Sequence, residues 1–205
     1  MNKILVRLCS LLALSTLVSG CVFSTDRIDL AYNPRGARDK ISGAEGVKVQ
    51  VAMADKREIR DVVGRKTIGM KQRGGKIVST TDVVEVVRGA IESELAMRGF
   101  SKGEAVVVSC DLNQFYNHFT MGFWAGDSFA DVNLTVQVKT PSGEVVFSKE
   151  IAAQGKEPNI QVVAGHNAQP SLEQALSNAV DELFSDPGFV PALFKAAGMN
   201  PPNQS

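Results

Sequence analysis

The chain is poor in the residues that build metal and redox sites. Its 205 residues include two histidines, His118 and His166, three cysteines and one tryptophan. A zinc centre would need most of those histidines and cysteines to converge. Three cysteines are also too few for a disulfide-rich scaffold. An excess of one charge is missing: 22 Lys and Arg stand against 22 Asp and Glu. A surface that is basic throughout, the footprint of many nucleic-acid binders, is therefore excluded, and no nucleic-acid partner is expected. There is no internal repeat and no low-complexity tract. With 44% hydrophobic residues the composition is that of a globular chain, neither disordered nor collagen-like. The length suits one domain, or one domain with a tail. No phosphate loop, nucleophile elbow or metal-ligand spacing occurs, so no cofactor and no metal is expected.

Long apolar runs are scarce too. Lys3 and Arg7 precede one from Leu8 to Val18. It is too short to span about 30 Å of hydrocarbon comfortably, and no later segment approaches ~18 continuous apolar residues. The run ends Leu17-Val18-Ser19-Gly20-Cys21, which resembles a bacterial lipobox: an aliphatic residue, two small residues, then cysteine. Small residues let an extended chain enter a peptidase, and the Cys21 thiolate is the atom that takes lipid. The resemblance implies a signal peptide over residues 1–20, diacylglyceryl transfer to Cys21, cleavage before it, and acylation of the new amino group. Each buried methylene contributes ~0.8 kcal/mol, so three acyl chains such as palmitate hold a protein on a membrane without a transmembrane helix. In diderm bacteria an aspartate after the lipid cysteine retains lipoproteins at the inner membrane. Here that residue is Val22, and the resemblance implies the periplasmic face of the outer membrane. Removing residues 1–20 leaves 20 bases against 22 acids, net −2. Cys9 is discarded with the signal, so Cys110 is the only thiol left beside Cys21 and no intrachain disulfide can form.

Residues 21–45 are mixed and polar and read as a lipidated tether, with an edge strand within Ile28 to Tyr32. A single globular domain is expected over 46–198 and a short tail over 199–205. Val47, Val49, Val51 and Met53 alternate with polar or small residues as a half-buried strand does. Asp55 to Lys76 reads as loop, with Lys66–Met70 and Lys76–Ser79 able to pair as a short hairpin. Val84, Val87, Ile91 and Leu95 recur at helical spacing after Asp82, an N-cap with Glu85 three residues on, and Gly99 stands where a left-handed C-cap belongs. Ala105–Tyr116, a strand around Val132–Val138, and a third from Glu144 to about Gln154 follow, the last two joined by Pro141-Ser142-Gly143. Ser171 and Gln174 form a capping-box pattern before the apolar stripe Leu172, Ala175, Leu176, Ala179, Val180 and Leu183. Asp186-Pro187-Gly188 ends that helix, and a short amphipathic turn carries Phe189, Leu193 and Phe194. This order predicts an α+β fold: a two-layer sandwich whose mostly antiparallel sheet is covered on one face by two helices.

A resemblance to a known family runs along the same order. The lipobox is followed by Ile28-Asp29-Leu30, a first strand ending Asp55-Lys56-Arg57, and Leu95-Ala96-Met97-Arg98-Gly99-Phe100 closing the first helix. Gln114-Phe115-Tyr116, Ala130-Asp131-Val132, the Gly143 hairpin, the last long helix and the Phe189-to-Phe194 tail complete it. On these segments the chain resembles the YajG-like bacterial lipoproteins, a largely uncharacterised family with no established catalytic residues to carry over. It resembles more loosely, in layout, small envelope lipoproteins that assist lipid or lipopolysaccharide transport.

Two stretches are candidate contact sites. From Lys56 to Lys76 the chain is net +6, with Arg57, Arg60, Arg65, Lys66, Lys71, Arg73 and Lys76 among its cations. A glycine-rich basic loop can meet anionic headgroups, lipopolysaccharide phosphates or an acidic partner, or simply be a solvated loop. Between Phe115 and Phe129 lie Phe119, Phe123 and the sole tryptophan, Trp124. Aromatics on a loop fill a partner's pocket, sit at a membrane interface, or cap the open end of a core. Cys110, on an apolar strand face, reads as a small hydrophobe. Asp111, His118 and Asp127 lack the motifs that would make them a hydrolytic cluster. The functional expectation is a non-enzymatic, lipid-anchored outer-membrane lipoprotein binding an envelope protein. The alternatives are an auxiliary subunit in lipid or lipopolysaccharide transport and an enzyme acting on cell-wall material.

Overall fold

The computed structural model describes residues 23–68 and 72–201, with the backbone alone at Ile68, Gln72 and Arg73. Three long strands form its centre: β6 (Val106–Met121), β7 (Gly126–Lys139) and β8 (Val145–Ile160). They run as an antiparallel meander, because two tight connections join segments of strict apolar–polar alternation. In β6 the inward residues Val106, Val108, Cys110 and Leu112 are all fully buried. A bulge between Leu112 and Gln114 then advances the pleat by one residue, and Phe115, Asn117 and Phe119 continue the inward series.

The free edge of β6 is shared by two partners. β2 (Lys48–Asp55) lies parallel to its first half, from Val49 opposite Val106 to Asp55 opposite Leu112, with β5 (Ser101–Lys102) outside it. Farther along, β3 (Gly64–Ile68) joins the same edge at Asn117. It forms an antiparallel hairpin with β4 (Gln72–Ser79), and β1 (Asp26–Ile28) completes that side parallel to β4. The long pairings are antiparallel, as expected, but those on this edge of β6 are parallel. Residues 56–63 leave the sheet at the changeover, held by Lys56 N–H to the Leu112 carbonyl and Asn117 N–H to the Val63 carbonyl.

Helices cover one face. α1 (Val83–Met97) is capped as its sequence predicts: Asp82 accepts a hydrogen bond from Val84 N–H at 2.8 Å. At its other end Gly99 has φ +94°, and Gly99 and Phe100 donate to the Ala96 and Leu95 carbonyls, a Schellman ending. α1 packs Val87, Ile91 and Leu95 into the same core as β2. α2 (Gly165–Ser185) crosses β6, β7 and β8, and α3 (Phe189–Ala196) packs on β7 and β8 as a third, short member of the layer. The α+β two-layer arrangement therefore stands.

α2 begins two turns before the predicted capping box, and Pro170, its sixth residue, leaves the His166 carbonyl without its i+4 N–H. Ser171 is not a cap. It is buried, donates to the Ala168 carbonyl, and lies 3.0 Å from both Asn117 Nδ2 and Ser128 Oγ, which fixes the helix to the sheet. Packing also begins earlier than residue 46. From Asp26 onward the expected tether lies against the domain, with Ile28, Leu30 and Ala44 in the core.

Candidate functional site

The basic stretch is a connection over residues 56–63 followed by a hairpin, as its sequence allowed, and the fold uses much of its charge internally. Lys66 is only 3% exposed; its ammonium meets Asp26 Oδ1 at 2.6 Å and Ser24 Oγ at 3.2 Å. The other oxygen of Asp26 accepts from Gly165 N–H at 2.7 Å, so one carboxylate joins β1, β3 and the start of α2. Arg57 is likewise buried, and Asp55 takes it through Nε at 2.9 Å and Nη2 at 2.8 Å. That pairing holds Asp55 below the usual carboxylate range. Lys76 pairs with exposed Asp61 at 2.8 Å. Arg57 and Lys66 are therefore not surface contacts for an anion, because short acids planted beside them in the fold neutralise them first. Arg60 remains exposed and Arg65 half-exposed. Lys71 lies outside the described residues, as does the side chain of Arg73.

The aromatic stretch divides. β6 continues past Tyr116 to Met121, so Phe115 and Phe119 are core residues, and Phe119 is withdrawn from the contact candidates. Phe129 faces out from β7 and stacks on His118, ring centroids 5.5 Å apart. What stays at the hairpin tip is Phe123 and Trp124, 91% and 88% exposed, edge to face with centroids 4.9 Å apart.

A cleft of about 590 Å³ opens where the edge of β6 changes partner. Arg57, Arg60, Asp61, Thr80, Thr81 and the first residues of α1 line it. Arg57 Nη1 is buried with no hydrogen-bond partner among the described residues, leaving a donor beside this cleft unfilled.

Sequence reasoning missed one buried ionic centre. Glu94, fully buried on α1, accepts from Tyr32 Oη at 2.6 Å, Arg38 Nε at 3.0 Å and Arg98 Nη1. Arg38 also holds Asp181 on α2 at 2.7 Å, and the Arg98 guanidinium lies 4.2 Å above the Phe184 ring. Burial alone would raise the Glu94 carboxyl, but the three donors outweigh it and hold it below its ordinary range. Burial first, then the bond to Glu94, pushes the Tyr32 phenol far up, so it stays a donor. The signal was present: Glu94 occupies the apolar stripe of α1, three residues after Ile91 and seven after Val87.

The outward acids are separated. Asp111 faces Thr135 and Asp131 faces Tyr116, a separation of about 15 Å along β6. Asp127 pairs with Lys156 at 2.7 Å and Asp131 accepts from Gln154 at 3.0 Å. Cys110 is fully buried; desolvation first, then the Asp111 charge, pushes its thiol up to about 12, which leaves it an inert core residue.

A family model described as an uncharacterised lipoprotein matches residues 38–193. The chain belongs to the YajG-like lipoproteins. As a YajG-like lipoprotein it is held at a membrane by lipid, and no helix among the described residues is long and apolar enough to cross one. A crystal structure of a Xanthomonas campestris protein is similar in fold, at 14% identity, 78% of this chain, 91% of that chain and TM-score 0.51. A candidate lipoprotein of Caulobacter crescentus matches at 14% identity over 78% of this chain and 100% of its own, TM-score 0.49. No curated protein matches. For this YajG-like chain the likeness to the Xanthomonas protein speaks to fold alone.

Proposed function

We propose that the chain is a non-enzymatic lipoprotein anchored through Cys21 on the periplasmic face of the outer membrane, where its domain binds an envelope protein. The observation that carries this reading is the spacing of lipobox and fold. Family membership makes the chain a lipoprotein, Cys21 closes the only lipobox-like run, and packed structure starts at β1, five residues later. The domain is thus held close to its membrane, not on a long leash. The partner surface is the cleft beside Arg57, where exposed Arg60 and Asp61 can meet charged or polar groups of another protein. The transport alternative draws less support, because Arg57, Lys66 and Lys76 are already paired with acids.

The Cys21→Ala variant is expected to lose fatty-acid labelling and leave the membrane fraction. Retention after alkaline washing would refute the anchor. A photo-crosslinker at Ile59, exposed beside Arg57, is expected to give one discrete adduct in whole cells, lost on Arg60→Glu.

A further inference from the structure

The long strands give the molecule two ends, and exposed apolar side chains gather at one of them. β6 runs toward this end and stops at Met121; β7 starts back from it at Gly126, opposite Ile160 at the end of β8. Met121, Phe123 and Trp124 are exposed here at the hairpin tip, and Val162 is 63% exposed just beyond β8. β3 runs parallel to β6, so its hairpin with β4 turns at this end too. β1 is parallel to β4, with Asp26 opposite Ile77, so the residues before Asp26 continue along β4 toward the same end. They lie close against it: a Cβ on Gly75 would fall 1.9 Å from the Ser24 carbonyl oxygen. The described chain begins there with Phe23, itself 66% exposed.

Cys21 precedes Phe23 by two residues, a reach of at most about 7 Å. β1 and β6 are separated by β4 and β3, three strand spacings or about 14 Å. The start of the described chain, two residues after the lipid attachment point, and the aromatic tip therefore share one end, on strands closer together than the hydrocarbon thickness of a bilayer. Water-exposed Phe and Trp side by side are costly at a random place on a soluble surface, but the headgroup region is where aromatic rings partition well.

We infer that Phe123 and Trp124, with Met121, form a second membrane contact that inserts into the headgroup region of the bilayer carrying the Cys21 lipid. This rests on the anchor proposed above. Lipid on Cys21 supplies retention; the tip supplies orientation. Two contacts from strands about 14 Å apart restrict the tilt of the domain, so the long strands stand off the membrane and the cleft beside Arg57 is held away from it, open to the periplasm.

Trp124 is the only tryptophan and so its own reporter. The chain from Cys21 onward carries the whole described fold, and its other thiol, Cys110, is buried. Coupling Cys21 to maleimide headgroups on vesicles of phosphatidylethanolamine and phosphatidylglycerol therefore tethers the domain at its natural point without biological lipidation. The expected result is blue-shifted Trp124 emission, loss of quenching by aqueous iodide, and new quenching by lipids brominated on their acyl chains. Phe123→Asp, at a position with no core contact to lose, should restore water-like emission while circular dichroism stays unchanged. Trp124 that remains open to iodide on tethered, protein-free vesicles overturns the inference and leaves the tip to a protein partner. Flotation of the natively processed protein with membranes is scored separately, so loss of the Cys21 anchor and loss of the tip contact give different results.

Discussion

Glu94→Ala is expected to destabilise the fold by about 3 kcal/mol, read as a lower denaturant midpoint with an unchanged slope. The expectation follows from what the side chain does. Glu94 is fully buried and answers three donors from three parts of the chain: Tyr32 in the segment after β1, Arg38 before β2, and Arg98 at the end of α1. Without it, the Tyr32 hydroxyl and the inner nitrogens of two guanidinium groups face each other with no anion between them. Arg38 keeps Asp181 and Arg98 keeps the Phe184 ring, which holds the loss near the lower end for a broken buried ion pair. Glu94→Gln retains an acceptor for Tyr32 and should cost less. The sign with pH follows from the lowered carboxyl. Its stabilisation is present above the unfolded value near ~4.3 and is lost as pH falls through the lower folded value. The acid limb of wild-type stability should therefore flatten in Glu94→Gln.

The second large effect is steric. A Cβ at Gly155 on β8 would lie 2.0 Å from the Ser171 carbonyl oxygen and 2.5 Å from the Ala175 nitrogen, both backbone atoms of α2. Neither can rotate aside, so Gly155→Ala must push the helix off the sheet and stretch the Asn117–Ser171 contact. A loss of about 3 kcal/mol, the upper end for overpacking, is expected in thermal or chemical unfolding. Gly89, exposed within α1, has nothing within 4 Å of the same added carbon. There Gly89→Ala should stabilise by roughly 0.5–1 kcal/mol, because the backbone loses freedom only in the unfolded chain. The same substitution thus has opposite signs at two positions.

Local chemistry made much of the fold readable. Asp82 and Gly99 mark the ends of α1 because their side-chain and backbone requirements are local. The Gly143 turn and the alternation of β7 are local in the same sense. The bulge after Leu112 was not, since it slips the two-residue period at the point where the aromatics begin. Phe115, Asn117 and Phe119 then fall out of phase with Val106 to Leu112, and a strand looks like an aromatic loop. The cations from Arg57 to Lys76 were misread for a different reason. Their neutralising partners at Asp26 and Asp55 come from elsewhere in the chain or from a strand end, and composition carries no information on who meets whom. Ser171 and Gln174 imitate a cap because the motif is short, while Asn117 and Ser128, far away in sequence, decide what Ser171 does. Glu94 was legible in principle as an acid inside an apolar stripe.

The shared edge of β6 sets an order of events for a chain made from its N-terminus. β2 and β3 come first, but neither pairs with the other; β1, β3 and β4 can pair among themselves, and β2 joins them only through a strand that is complete at Met121. Until then the early strands remain in two unjoined parts, whereas β6, β7 and β8 zip together through short turns as soon as they exist. The late half of the chain is therefore the scaffold of the early half. A nascent or exported chain of this design cannot close its sheet until about three-fifths of it has emerged, a condition that suits a translocating polypeptide.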